Sequence, residues 1–222
     1  RGHRQSLAGA EQGLGELYGV FVLRWCVFFA CVSVFMSLFR SDVVHRSLHY
    51  WLLAPVRRDV LVIGKFVAGW LATGTVMGSA TVLTALLFYS PFDRSLLVER
   101  VVYGPGLANV LAMVGVTVLA CAGYGALFLL IGVLYRNPVV PALLVLAWEH
   151  INFLLPPTLK SISVIFYLQS LLPLPPPAGP LGVVAEPAPA WLAVSGVTAL
   201  CVGCLWAASR RLRTMEVVYG EE

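Results

Sequence analysis

Between Leu17 and Arg213 the chain consists mainly of apolar runs about twenty residues long or longer, separated by short charged segments. This feature leaves few folds open. A helix needs roughly twenty apolar residues to cross the hydrocarbon of a bilayer, whereas the strands of a membrane barrel alternate polar with apolar residues. The runs here do not alternate. Charged residues make up 12% of the chain and mean hydropathy is +0.85, against a charged fraction of roughly 25% in soluble domains. These observations predict an integral membrane protein whose fold is an all-α, polytopic transmembrane helix bundle.

The runs predict a single transmembrane domain over residues 1–222, with five spans at about 17–39, 66–92, 104–135, 138–155 and 190–209. Residues 1–16 are polar and read as a loop or interfacial segment. Arg24 is the one charge in the first span; it is near enough to the start to reach the interface along its own stem, and the alternative is a buried functional charge. In the second span Gly74 and Gly78 stand four apart, a spacing that permits close helix contact. Pro138 suits the first turn of the fourth span, and Pro156 with Pro157 ends it. The Pro-rich region 156–189 reads as external, with I-S-V-I-F-Y-L-Q-S-L-L as an interfacial or re-entrant helix followed by an extended loop. Trp191 opens the last span, and Arg210, Arg211 and Arg213 close it.

Orientation follows from the basic residues. Arg40, Arg46, Arg57, Arg58, Lys65, Arg136, Arg210, Arg211 and Arg213 fall on one side; Arg1, Arg4, Arg94, Arg100 and Lys160 fall on the other. The richer side is expected to be cytoplasmic. That places the N-terminus outside, as in a chain that has lost one earlier span; its first residue is Arg1. The net charge of +4 is spread over the connecting segments and has no basic run with interleaved aromatics, so it signals orientation in the bilayer and not nucleic-acid binding.

Segment 40–65 is the longest polar interruption. From Asp42 to Pro55 the apolar residues Val44, Leu48, Trp51 and Leu52 recur at spacings of three and four, with His45, Arg46 and His49 between them. The pattern predicts an amphipathic helix on the membrane surface, capped by Asp42, stopped by Pro55 and followed by Arg57 and Arg58. Such a helix is a candidate contact surface for a cytoplasmic partner. Gly64 and Lys65 do not belong to a nucleotide-binding loop, because Asp59 stands where its first glycine belongs and Phe66 where its Ser or Thr belongs. No G-x-S-x-G elbow and no H-E-x-x-H helix occur. Cys26, Cys31, Cys121, Cys201 and Cys204 lie in apolar runs and read as small buried hydrophobes. The C-x-x-C of Cys201 and Cys204 lacks the second pair that a zinc site requires. No cofactor and no metal are expected.

Glu149 and His150 lie inside the fourth span, some 17 Å of helix rise from Pro138. Ionisable groups at that depth are costly unless they face protein or water. They are candidate polar residues of a translocation path; alternatively, neighbouring helices satisfy them.

Ser41 to Ala68, S-D-V-V-H-R-S-L-H-Y-W-L-L-A-P-V-R-R-D-V-L-V-I-G-K-F-V-A, carries a polar helix, an aromatic with leucines, a proline, two basic residues and a Gly-Lys opening the next span. Tyr124 to Ala142 and the pair L-A-W-E-H and L-K-S-I-S-V-I-F-Y-L follow the same family pattern, as does the basic tail R-R-L-R-T-M-E. In these stretches the chain resembles the membrane permease subunits of type 2 ABC transporters. At the helix start, Arg46 and Ser47 stand where that family often has an acidic residue and a threonine.

The resemblance implies six spans per subunit, a second permease subunit in a homo- or heterodimer, and a separate cytoplasmic ATPase. It therefore implies a transport subunit that is not an enzyme, in the cytoplasmic (inner) membrane of a prokaryote, with a leaning towards export. Asp42, Arg46, His49, Tyr50, Trp51, Leu52, Pro55, Arg57 and Arg58 would then contact the ATPase. Two rival readings remain: a membrane redox or metal-binding enzyme subunit using His45, His49 and His150, and an accessory subunit of a membrane complex.

Overall fold

The computed structural model describes residues 9, 11–44, 58–92, 98, 101, 103–135, 137–151, 163–173 and 188–214. Every regular element among them is helical. A π-helical stretch α1 (Leu17–Cys26) runs without a break into α2 (Val27–Val44), since Glu16 and Val27 on either side keep helical dihedrals. There follow α3 (Arg58–Tyr89), α4 (Gly106–Leu134), α5 (Val139–Ile151), α6 (Val164–Ser170) and α7 (Ala190–Thr214). Among the described residues four helical stretches are long and apolar enough to cross a membrane: Glu11–Leu38, Asp59–Tyr89, Gly106–Leu134 and Ala190–Arg213. The expected fourth span, 138–155, corresponds to α5, whose thirteen residues rise about 20 Å against the ~30 Å of a bilayer core; residues 152–155 lie outside the described residues.

Two boundaries lie outside the apolar runs, and charge pairing explains one of them. The second long helix starts near Arg58 and not at 66, because the charges in its first turns find partners. Asp59 accepts both nitrogens of the Arg213 fork, Nε at 2.8 Å and Nη2 closer still, and Lys65 Nζ donates to the Leu38 carbonyl at 2.6 Å. An acidic group at the start of α3 and a basic one at the end of α7 also suit the two helix dipoles. These contacts bring the end of α2, the start of α3 and the end of α7 to one end of the bundle. The first helix extends back to Glu11, six residues before its expected start.

Packing centres on α4, which presents buried residues along nearly its whole length, from Met113 to Val133. Phe35 of α2 is fully buried, and its ring lies in a slot between two glycines. A Cβ at Gly125 of α4 would fall 2.5 Å from this ring, and one at Gly69 of α3 would fall 2.8 Å from it. Phe28 adds an edge-on contact to both Tyr124 and Phe128. The close approaches are therefore at Gly69, Gly123 and Gly125. The Gly74 and Gly78 pair does not provide them: a Cβ at Gly74 would touch nothing within 4 Å, and one at Gly78 would meet Val114 at an ordinary 3.8 Å.

Three hydroxyls form a polar layer across α1, α3 and α4. Tyr18 donates to the Met113 carbonyl at 2.6 Å and lies 2.7 Å from the Thr117 hydroxyl, which stands 3.2 Å from that of Thr81. All three are buried, and each hydroxyl has a partner, as a low-dielectric interior demands.

Adding one methyl group inside the phenyl slot should cost more than adding one on the lipid face. Gly125→Ala is expected to destabilise by about 1–3 kcal/mol, seen as a lower Tm of the detergent-solubilised protein, whereas Gly64→Ala, whose Cβ would meet nothing within 4 Å, should leave Tm unchanged or slightly raised.

Candidate functional site

Among the described residues the ionisable side chain Glu149 is buried, 3% exposed, less than Arg24 or Glu11, and it lies on the last turn of α5. Ten residues from Val139, it sits about 15 Å of helix rise into the bundle. Its carboxylate accepts three hydrogen bonds from one direction. The Ser163 hydroxyl donates to Oε2 at 2.6 Å, the Val164 N–H to Oε1 at 3.1 Å and the Ile165 N–H to Oε2 at 3.2 Å. The first N–H groups of a helix have no partner within the helix, and Ser163 makes no capping bond of its own. A side chain from α5 thus caps α6, whose Val164, Ile165 and Leu168 are buried. The start of α6 is tolerated inside the bundle because its Val164 and Ile165 N–H groups are bonded within the protein.

Two further groups face this carboxylate. Arg24, from the π-helical α1, and Tyr124, from α4, both lie within its electrostatic range. Arg24 is 5% exposed, and its Nε has no hydrogen-bond partner. The expectation that this arginine reaches the interface is therefore corrected. Its side chain packs into the bundle between α4 and α5. Tyr124 and Glu149 both lie within its electrostatic range.

His150, the next residue of α5, turns the other way. Its Nδ1 lies 2.8 Å from the Leu146 carbonyl in the same helix, and its ring packs against Trp25 with centroids 4.3 Å apart. Its Nε2 is buried without a partner. Trp25 in turn lines an apolar groove with Phe21, Cys26 and Phe29 on the outer face of the first helix. The candidate path residues Glu149 and His150 are thus both brought into the bundle, on different faces of α5. Arg24 and Tyr124 complete the group; the sequence singled out Arg24 as a charge in a span and gave no signal for Tyr124 beyond an aromatic in an apolar run.

Of the candidate ATPase-contact residues, Arg46, His49, Tyr50, Trp51, Leu52, Pro55 and Arg57 lie outside the described residues, and Asp42 and Arg58 occupy the terminal turns of α2 and α3.

Removing the buried carboxylate should be costly, because three donors lose their acceptor together and Arg24 loses a countercharge. Glu149→Ala is expected to destabilise by about 3–5 kcal/mol and Ser163→Ala by about 1.5–3 kcal/mol, read from unfolding of the purified protein in mixed micelles. Equal, small effects from both would remove the carboxylate from its central position.

Residues 18–152 match the CcmB protein family, a match that covers more than half of the chain and takes in α1 to α5 with Arg24, Tyr124, Glu149 and His150. Comparison with curated proteins and with solved structures gives no match. The chain belongs to the CcmB family and is a membrane permease of an ABC transporter.

Proposed function

We propose that this chain is the permease subunit of a type 2 ABC exporter in the inner membrane of a prokaryote, paired with a second permease subunit and driven by a separate cytoplasmic ATPase. The observation that carries the reading is the family match over residues 18–152, which begins in the first span and ends just beyond α5. Four membrane-length helices support it. CcmB proteins are membrane components of haem ABC exporters, which supports export as the direction and haem as the cargo.

In this reading the energy of ATP hydrolysis arrives from outside the chain. The amphipathic segment from Asp42 to Pro55 connects α2 with α3, and an ATPase docked on Arg46, His49, Tyr50, Trp51, Leu52 and the basic pair Arg57 and Arg58 would push on both helices together. The basic residues would meet lipid headgroups or partner carboxylates at that surface. The motion would pass through the close packing of Phe35 against Gly69 and Gly125 to the bundle interior, where Glu149 and His150 lie beside the cargo path.

Purification of the full chain from its own membranes in mild detergent tests the proposal. An ABC ATPase should co-purify, and Trp51→Ala combined with Leu52→Ala should lower its yield at least tenfold, a loss of about 1.4 kcal/mol in affinity. Absence of any ATPase would overturn the reading, and an unchanged yield in the double variant would move the docking surface elsewhere.

A further inference from the structure

Arg24 and Glu149 form an incomplete pair. They are opposite charges buried in the same bundle, within electrostatic range, yet the carboxylate spends its hydrogen bonds on Ser163, Val164 and Ile165, and the guanidinium Nε has none. A buried guanidinium nitrogen with no partner is costly in a membrane interior, and a bidentate bond to a carboxylate is its strongest available remedy. The carboxylate therefore has two competing sets of donors, the open end of α6 and the fork of Arg24.

The helix that carries it is held along one face. Ala142 and Glu149 are buried and Val145 and Leu146 pack against the core, while Val139, Val140, Leu143, Leu144, Trp148 and Ile151 are exposed. Among the described residues its hydrogen-bond and ring ties to other elements are the Glu149 bonds to α6 and the His150 ring against Trp25. Trp25 adjoins Arg24 on α1, so the contact of its ring with His150 sets the turn of α1 that carries the arginine beside the turn of α5 that carries the carboxylate. Besides Arg24, Tyr124 from α4 faces the carboxylate, and His150, next in sequence, lies on another face of α5.

We infer that Glu149 is a two-position carboxylate: in the state described it caps α6 through Ser163, Val164 and Ile165, and in a second state it leaves that cap and pairs with Arg24, freeing α5 to move relative to α6 and α7. The inference deepens the reading of the chain as a permease by naming the joint at which its bundle changes shape. It concerns a distance within this chain, so it is measured without cargo, ATPase or nucleotide.

The test uses the full chain in lipid nanodiscs, with spin-labelled non-natural residues in place of Leu144 on α5 and Val202 on α7, both well exposed at 68% and 61%. Pulsed electron resonance then reads the distance between them. Two populations are expected. Ser163→Ala weakens the cap and should move their ratio by about tenfold towards the arginine-paired population, and Arg24→Gln should move it the opposite way, to the capped population alone. Opposed shifts from two residues that face the same carboxylate distinguish a switch from a structural tie, which would broaden both distributions alike. A single distance that Ser163→Ala does not split overturns the inference. If Arg24→Gln does not fold, Ser163→Ala decides alone. A failed switch would leave the co-purifying ATPase untouched, and a missing ATPase would leave the two distances untouched, so the two failures are separable.

Discussion

A peptide group in hydrocarbon has no water to bond to, and that constraint orders the whole molecule. Continuous helices meet it along their length by bonding each N–H to a carbonyl one turn back. The difficulty collects where a helix begins or ends inside the bundle. The start of α6 is such a place, and the carboxylate of Glu149 supplies the acceptors that its first N–H groups lack. One ionisable side chain thus makes a helix start admissible where an open helix end would cost several kcal/mol per unbonded group. Arg24, buried on the facing helix, lies within electrostatic range of the same carboxylate.

Apolar burial does not drive these helices together in lipid as it would in water, so contact has to come from shape and from polar bonds. Both are present. Phe35 fills a space that only glycine leaves open on α3 and α4, and the hydroxyls of Tyr18, Thr81 and Thr117 tie three helices at one level. The Trp70 indole adds a bond to the Val118 carbonyl at 3.0 Å. Each of these ties involves α4 or a residue packed on it, and α4 is accordingly the helix around which the others are arranged.

Much of this was legible from apolar run lengths. The long helices fall where the runs predict, because a run of apolar residues long enough to span has one low-energy form in a bilayer. Their ends were less legible. Asp59 and Lys65 looked like the edge of a connecting segment, and only the positions of Arg213 and of the Leu38 carbonyl, 154 and 27 residues away in sequence, allow the helix to include them. The depth of Glu149 marked it as costly, but its acceptor role was hidden, since Ser163 lies fourteen residues onward beyond Pro156 and Pro157. The glycine spacing pointed to Gly74 and Gly78, whereas the tight contacts are at Gly69 and Gly125, because closeness is set by which large side chain arrives opposite and not by the interval between small ones.

The slot around Phe35 also has a geometric meaning. The outer edge of one ring meets bare backbone on two different helices, so α3 and α4 come near α2 at the same level, where neither carries a side chain. A side chain on either would push its helix off the ring, so the spacing of three spans is set at that one point by two missing methyl groups.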